Sequence, residues 1–470
     1  MTNLITVLSA PVVTLAALPL KAKSRKLFYV IALVISMIAI WCSINIRVGV
    51  TFQFDPIGFK LVIDPYSKIF VVLISCMWFI SILYSYEFTK YHFQEKRIRF
   101  FLFLNCLLTV ACISACAGNL VTLFISYFIG IPLTYPLITI RENTAAFAAG
   151  KLFLKQAVFP ALFIFLPAIF LTYYLIGHVS FDDGRTFDTM KIDPRMGGVV
   201  LAMFVIGISK NCVFPFHSWL PATNPAPAPV SGLIHSVATV KTGSIALIKI
   251  AVYIFGIDYI HELTSNFFSG GWLTYLAGGT AIYTAYRALT TDDLKQRFAF
   301  STVGQLSYIV LAVLVGTKIA ILAAVLHVVT HAIAKSCLFY VAGFYNSIYQ
   351  TVSVKKLERI MPHTRFIALV IAICGLSITG FPFLAGYYSK DLMLLEEWHS
   401  QYYSSAIFLV IGSLVNVLYI VGPIRSAFNK KDPNFHTKHI PVTMMVSFII
   451  SIALIVGSNF YVSYITSLFK

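Results

Sequence analysis

Apolar stretches long enough to cross a lipid bilayer follow one another along almost all of this 470-residue chain. A helix needs roughly 20 apolar residues to span the hydrocarbon. Helices are the expected element because a bilayer cannot satisfy open backbone groups. Fourteen segments fit: 4–20, 27–46, 66–85, 100–117, 119–139, 152–177, 197–217, 229–254, 267–286, 298–315, 317–346, 364–388, 404–424 and 440–466. The pattern predicts an all-α polytopic membrane protein with about 14 transmembrane helices in a single domain, 1–470.

Composition excludes several other classes of protein. Residues are 59% hydrophobic and 11% charged, whereas a soluble domain carries about 25% charged residues. No dinucleotide fingerprint, P-loop or glycine-rich phosphate loop occurs, so we predict no cofactor site and no catalytic site. The eight cysteines are scattered through apolar segments, which favours small buried side chains over a metal or redox site. The first segment lacks the basic start and cleavage site of a signal peptide, so we expect it to be retained.

The net charge of +17 is distributed unevenly between the two sets of alternate loops. One set holds 21 lysines and arginines, among them Lys21 and Lys23, and the other holds seven, among them Arg185 and Lys470. Cytoplasmic loops carry the excess of Lys and Arg. The distribution therefore predicts that the first set is cytoplasmic and both termini lie outside. It also accounts for the basic charge without a nucleic-acid partner.

Ionisable side chains interrupt four of the apolar segments, where charge is costly and usually functional. The set is Lys210, His235, Lys241, Lys249, His327, His331, Lys335 and Lys390. Histidine titrates near neutral pH, and a desolvated lysine can be brought there. Chains of such groups carry protons through membranes. Proline and glycine breaks near Pro215 and Pro382 strengthen this interpretation, because interrupted helices often mark transport sites.

Simpler interpretations exist for individual residues. Lys249 and Lys335 could extend toward an interface, and a single histidine in a membrane helix can be a packing residue. His327 and His331 have the i,i+4 spacing of a zinc pair, but the glutamate of the His-Glu-x-x-His motif is absent. Lys210 and Lys241 lie within their segments without acidic neighbours, which packing alone does not explain.

Five ordered motifs between about residues 60 and 395 carry a family resemblance. They are "VIDPYSKIF", "SKNCVFPFHSWLPATNPAPAPVSGLIHSVATVKTG", "TTDDLKQRFAFSTVGQLSYIVLA", "HVVTHAIAKSCLFYVAG" and "SITGFPFLAGYYSKD". The chain resembles the antiporter-like subunits shared by respiratory complex I and Mrp-type sodium/proton antiporters. Within that family, "VATVKTG" looks more like the D-type branch of the Mrp proteins.

The resemblance implies an organisation of the chain. It suggests N-terminal helices over 1–99, two inverted five-helix repeats over 100–254 and 267–424, and a last helix over 440–466. The seventh and twelfth helices would be broken. The resemblance also implies an integral protein of a bacterial inner membrane, surrounded by lipid and by other membrane subunits.

The resemblance implies roles for seven of the ionisable residues in a proton relay without cofactor or metal. Lys210 looks like the central lysine of the seventh helix, and Lys390 like the exit residue of the twelfth. The relays of the eighth and eleventh helices would contain His235, Lys241, His327, His331 and Lys335. The transported ions would be H⁺ and Na⁺ or K⁺.

The fifth helix departs from the family pattern. Members usually carry a glutamate there that pairs with the central lysine, but Phe128 occupies that position, and Arg141 stands where a histidine is common. Glu142 is about four turns away, too far to substitute. Four interpretations stay open. They are a cation/proton antiporter subunit, a proton-pumping membrane-arm subunit of NADH:quinone oxidoreductase, a diverged scaffold without transport, and a free-standing transporter of another solute.

Overall fold

The computed structural model describes residues 1–17, 25–54, 58–92, 96–181, 186–431, 433, 435 and 437–469. The end of the first predicted segment, 18–20, lies outside these residues, as do Lys21, Lys23, Arg185 and Lys470 from the charge distribution.

Helices account for most of the described chain. In the first half they are α1 (Thr2–Ala16), α2 (Arg25–Ile44), α3 (Pro65–Tyr91), α4 (Arg97–Ala115), α5 (Leu120–Ile138), α6 (Thr144–Ile176), α7 (Pro194–Gly207), α8 (Trp219–Ala222) and α9 (Ala228–Phe255). In the second half they are α10 (Ile257–Ser265), α11 (Trp272–Thr290), α12 (Leu294–Val315), α13 (Lys318–Ile348), α14 (Val354–Ile360), α15 (Arg365–Thr379), α16 (Ala385–His399), α17 (Tyr403–Ser426), α18 (Val442–Val456) and α19 (Ser458–Ser467).

Helical structure occurs at all fourteen predicted positions, and the prediction of an all-α polytopic membrane protein is confirmed. Within the described residues, nine helices are long and apolar enough to cross a membrane, or up to eleven if each bent pair is one span. The others are short or less apolar. The two breaks predicted near Pro215 and Pro382 separate α7 from α8 and α15 from α16.

Three helices form the centre of the bundle. The most apolar window of α12 is 100% buried, and those of α9 and α13 are 89% buried, whereas that of α17 is only 33% buried. A helix that is buried on every side has no lipid-facing surface. Polar side chains in α9 and α13 therefore meet other protein groups, and this positions the candidate site.

A β-hairpin that the sequence analysis did not predict precedes α3. Its strands, β1 (Thr51–Phe54) and β2 (Phe59–Val62), pair antiparallel with Thr51 opposite Val62. Asp64 follows the hairpin and caps α3, accepting a hydrogen bond from the Ser67 backbone N–H at 2.7 Å. Asparagine and aspartate are preferred at this position because they satisfy an N–H that has no partner within the helix.

Candidate functional site

Lys210 lies where the chain leaves α7. The helix ends at Gly207, and Ser209–Asn211 forms a single 3-10 turn before the chain continues to α8. The turn is buried, and the Lys210 side chain is within it, 1% exposed. The break thus places an amine inside the protein rather than at its lipid surface.

The partner of Lys210 is Tyr127 of α5. The Lys210 Nζ donates to the Tyr127 carbonyl oxygen at 2.8 Å and lies 3.9 Å from the centre of its ring. The Lys210 backbone N–H donates to the Tyr127 hydroxyl at 3.2 Å. A ring face and a carbonyl oxygen both attract a cation, so this tyrosine supplies negative potential without a formal charge.

Phe128 does not substitute for the missing glutamate. Its ring stacks on Phe124 with centroids 5.8 Å apart, and its side chain is partly exposed. Glu142, as expected from its distance along the chain, is occupied elsewhere. It pairs with Lys96 at 2.6 Å and Arg99 at 2.8 Å, and the Lys96 hydrogen bond and the two charges hold the pKa of Glu142 below its usual range.

Lys241 of α9 is in direct contact with α13. Its Nζ lies 2.8 Å from Nδ1 of His331, and both side chains are buried. The other ring nitrogen of His331, Nε2, is without a hydrogen-bond partner among the described residues. An imidazole can accept a proton at one nitrogen and release one from the other, and His331 has one nitrogen on Lys241 and the other without a partner among the described residues.

A file of titratable side chains, Lys241, His331, His327 and Lys390, leads from α9 along α13 to α16. The ring of His327 stacks over that of His331 with centroids 6.0 Å apart. His327 Nδ1 lies 3.0 Å from the Ser389 hydroxyl, and the next residue, Lys390, donates from Nζ to Ser413 at 2.7 Å. Helices that are distant in sequence are thereby joined by polar contacts inside the bundle.

His235 and Lys335 lie beside this file. His235 stacks on Phe339 with ring centroids 4.1 Å apart, and its Nδ1 has no hydrogen-bond partner among the described residues. Lys335 is fully buried and donates to the Ser301 hydroxyl at 2.6 Å. Neither makes a direct hydrogen bond to Lys241. All seven predicted residues are buried, and the contacts link Lys241, His331, His327 and Ser389, the residue that precedes Lys390 in the chain.

The file contains no carboxylate within ion-pair distance of its lysines among the described residues. No group of three or more His, Cys, Asp or Glu that could hold a metal occurs in the described part of the chain. Buried amines and imidazoles without counter-ions gain little from staying charged, because desolvation disfavours the charged form. The arrangement can therefore hold and transfer protons.

Lys249 has a role that the sequence analysis missed. It is fully buried, does not extend toward an interface, and pairs with Asp64 at 2.9 Å. Its Nζ also donates to the Ser67 hydroxyl and the Ala117 carbonyl, each at 2.8 Å. The helix cap Asp-Pro-x-Ser after the hairpin was visible in the sequence, but its proximity to α9 was not.

Known proteins that are similar to this chain include two that are named as subunits. Over 392 residues it is 26% identical to the NADH-quinone oxidoreductase subunit L of Campylobacter jejuni, covering 82% of this chain and 62% of that one. Over 349 residues it is 28% identical to a probable K(+)/H(+) antiporter subunit of Rhizobium meliloti, covering 72% of this chain and 33% of that one. The chain thus spans only between a third and two thirds of the length of these two relatives.

A solved structure shares the fold along the full chain. It belongs to the membrane-bound sulfane sulfur reductase, an archaeal respiratory membrane complex, and matches with a TM-score of 0.85 and 20% identity over 100% of this chain and 97% of that one. The family described as NADH:quinone oxidoreductase/Mrp antiporter, TM, matches residues 117–416, which include all seven candidate residues. This integral membrane protein therefore belongs to the NADH:quinone oxidoreductase/Mrp antiporter transmembrane family.

Proposed function

We propose that this chain is a proton-translocating subunit of a multisubunit membrane complex. The observation that carries the proposal is the Lys241 to His331 contact at 2.8 Å, within a buried file of titratable groups that has no counter-carboxylate among the described residues. A structural role would favour neutral or paired side chains, since unpaired buried charges are costly. Amines and imidazoles in series instead suit proton transfer.

The proposed route begins at Lys210 and continues through Lys241. Gly243 brings the two sites together, because its backbone packs against Lys210 and Asn211 so closely that an added Cβ would lie 2.9 Å from the Lys210 Cβ. Lys241 then gives a proton to His331 Nδ1, and Nε2 of the same ring releases one toward His327. Since the centroids of the His331 and His327 rings are 6.0 Å apart, a bridging water would carry the proton between them.

The last steps of the route lead from His327 past Ser389 to Lys390. His235 and Lys335 would act as side stores that accept a proton while the file is occupied. Each is buried, and His235 has a ring nitrogen without a partner in the described part of the chain. No covalent bond is made or broken at any step other than those of the transferred proton, so redox chemistry would belong to other subunits.

Coupling to Na⁺ or K⁺ exchange is the version of this function that we favour. The resemblance of "VATVKTG" to the D-type Mrp proteins supports it, as does the relative named as a K(+)/H(+) antiporter subunit. The alternative is a proton-pumping membrane-arm subunit of a quinone oxidoreductase, which the relative named subunit L supports. Either role requires partner membrane subunits.

The test is acridine-orange dequenching on addition of Na⁺ or K⁺ to inside-out vesicles from an antiporter-deficient host. The host carries the gene with its genomic neighbours, as wild type, as Lys210→Ala and as Lys318→Ala. Lys318 is an exposed lysine at the start of α13 and serves as the matched control. We expect dequenching in the wild type and the control and its loss in Lys210→Ala.

Other outcomes separate the alternatives. Dequenching that survives Lys210→Ala would contradict the relay. A wild type without cation-driven dequenching but with NADH-driven proton pumping would identify the oxidoreductase role. Transport by the purified chain alone would identify a free-standing transporter.

A scaffold without transport is the second candidate, and Phe128 is the observation that favours it. On that interpretation Lys210→Ala would change nothing and Phe128→Glu would add activity. We expect instead that Lys210→Ala abolishes activity and that Phe128→Glu adds none. Tyr127 already contacts Lys210, while Phe128 packs against Phe124, so a glutamate at 128 would not gain the contact.

A further inference from the structure

A buried carboxyl group that the relay does not include lies near the end of α16. Glu397 is 1% exposed, and its Oε2 has no hydrogen-bond partner among the described residues. Its neighbour Glu396 is partly exposed and accepts from the Ser400 hydroxyl at 3.5 Å. A buried polar atom without a partner is rare in native proteins and indicates a function or an ordered water.

Three more buried polar groups lie on the helices packed around α16, and none makes a hydrogen bond of normal geometry among the described residues, although Tyr308 lies close to Ser413 and Asn416. They are the Tyr308 hydroxyl of α12 and, on α17, the Asn416 Nδ2 and the Ser405 hydroxyl, all buried. Several unsatisfied groups on helices that pack against each other are the setting in which buried water is found, because each water molecule needs two to four polar partners.

Lys390 lies at one end of this polar zone and Glu397 toward the other. The Lys390 Nζ donates to Ser413 and lies 4.9 Å from the centre of the Tyr308 ring. Glu397 is seven residues further along α16, roughly 10 Å at the rise of an α-helix. Residues 400–402 connect the end of α16 directly to the start of α17. Ser405, near the start of α17, is therefore about as far from Ser413 as Glu397 is from Lys390, and it lies at the Glu397 end of the polar zone.

A polar cleft adjoins the Glu397 end. It has a volume of about 540 Å³ and is lined by residues from the segment 261–275 and from 399–404, including His261, Thr264, His399 and Tyr402. The Tyr402 backbone N–H donates to the Glu397 carbonyl at 2.7 Å, which holds the cleft wall against this turn of α16.

We propose that water molecules join Lys390 to this cleft and that Glu397 is the carboxyl group through which the proton leaves the protein. The Lys390 ammonium gives its proton to water, the Glu397 carboxylate takes one up, and the carboxylic acid releases it to water in the cleft. Proton and charge balance at each step, and no other reactant is needed. The inference rests on the proposed function, to which it adds the release residue.

The test compares Glu397→Gln with Glu396→Gln in the assembled complex. Glutamine keeps the shape of the side chain but cannot carry the proton, and the two neighbours differ in burial. We expect proton transport to fall at least fivefold in Glu397→Gln and to stay within twofold of wild type in Glu396→Gln. Difference infrared spectra should show a protonated-carboxyl band during turnover that disappears only in Glu397→Gln.

Solvent access provides a readout that does not depend on transport. Ser404→Cys, at a residue that lines the cleft, should react with a small, charged, membrane-impermeant thiol reagent from the face that carries the cleft, above the background of the unsubstituted chain. Wild-type transport rates in Glu397→Gln, equal losses in both glutamate variants, or an unreactive Ser404→Cys would each overturn the inference. If the wild-type complex moved no protons, the proposed function itself would fail.

Discussion

Lys241 of α9 and His331 of α13 are in direct side-chain contact, with Nζ 2.8 Å from Nδ1. The two residues are 90 positions apart in the chain. The contact links Lys241 of α9 to the two histidines of α13, and it is the step on which the proposed route depends.

Removing either partner should stop transport, and removing both should cost no more than removing one. We expect Lys241→Met and His331→Ala each to lower the transport rate by about 100-fold, the lower end of what a positioned proton-transfer group contributes. Initial rates of dequenching in matched vesicles measure this. Losses that multiply in the double variant would show that the residues act independently.

Gly243 should tolerate no side chain. An alanine Cβ would lie 2.9 Å from the Lys210 Cβ and 3.0 Å from the Asn211 backbone nitrogen, so neighbouring atoms must move. Overpacking of this kind costs about 1–3 kcal/mol. We expect Gly243→Ala to lower the thermal unfolding temperature of the purified complex. Gly279→Ala is the control, because nothing lies within 4 Å of its added Cβ; equal shifts in both variants would contradict the packing argument.

Breaking the Asp64 to Lys249 pair should destabilise the chain strongly. Asp64→Asn leaves a fully buried lysine without its counter-ion, a change that costs about 3–5 kcal/mol. Lys249→Met in the same chain removes the unpaired charge and should recover part of that loss. Unfolding in detergent measures both variants. Glu87→Gln, which removes one ion-pair partner of the exposed Lys90, should change stability by less than about 1 kcal/mol.

The stability added by Asp292 should depend on pH. The Ser353 hydroxyl donates to its carboxylate at 2.7 Å, and with the Lys355 backbone N–H and charge it holds the pKa of Asp292 below its usual range. A carboxylate with a lowered pKa stabilises the folded state above its unfolded pKa, about 3.9, and loses that contribution as pH falls through the folded value. The stability difference between wild type and Asp292→Asn should therefore be present at about pH 6 and shrink as the pH falls below the unfolded pKa of about 3.9. A difference that is constant with pH would contradict this account.

The positions of the helices could be predicted from the sequence because bilayer thickness sets the length of an apolar segment. The same rule fails for α7 and α15, where chain breaks shorten the helices. The β-hairpin was missed because its eight paired residues stand beside a membrane segment and carry little pattern of their own. The seven candidate residues could be identified because an ionisable group inside an apolar segment is conspicuous.

The sequence by itself determined that this chain is an all-helical membrane protein with titratable groups along its interior, since burial and helical periodicity depend on local residue order. It could not determine which groups meet. Tertiary packing decided that Lys241 contacts His331 and that Lys210 donates its hydrogen bond to Tyr127 rather than to a carboxylate. It also decided that Asp64 forms the ion pair with Lys249. Each of these contacts joins residues 80 or more positions apart, and their distances depend on how helices pack, which no local pattern encodes.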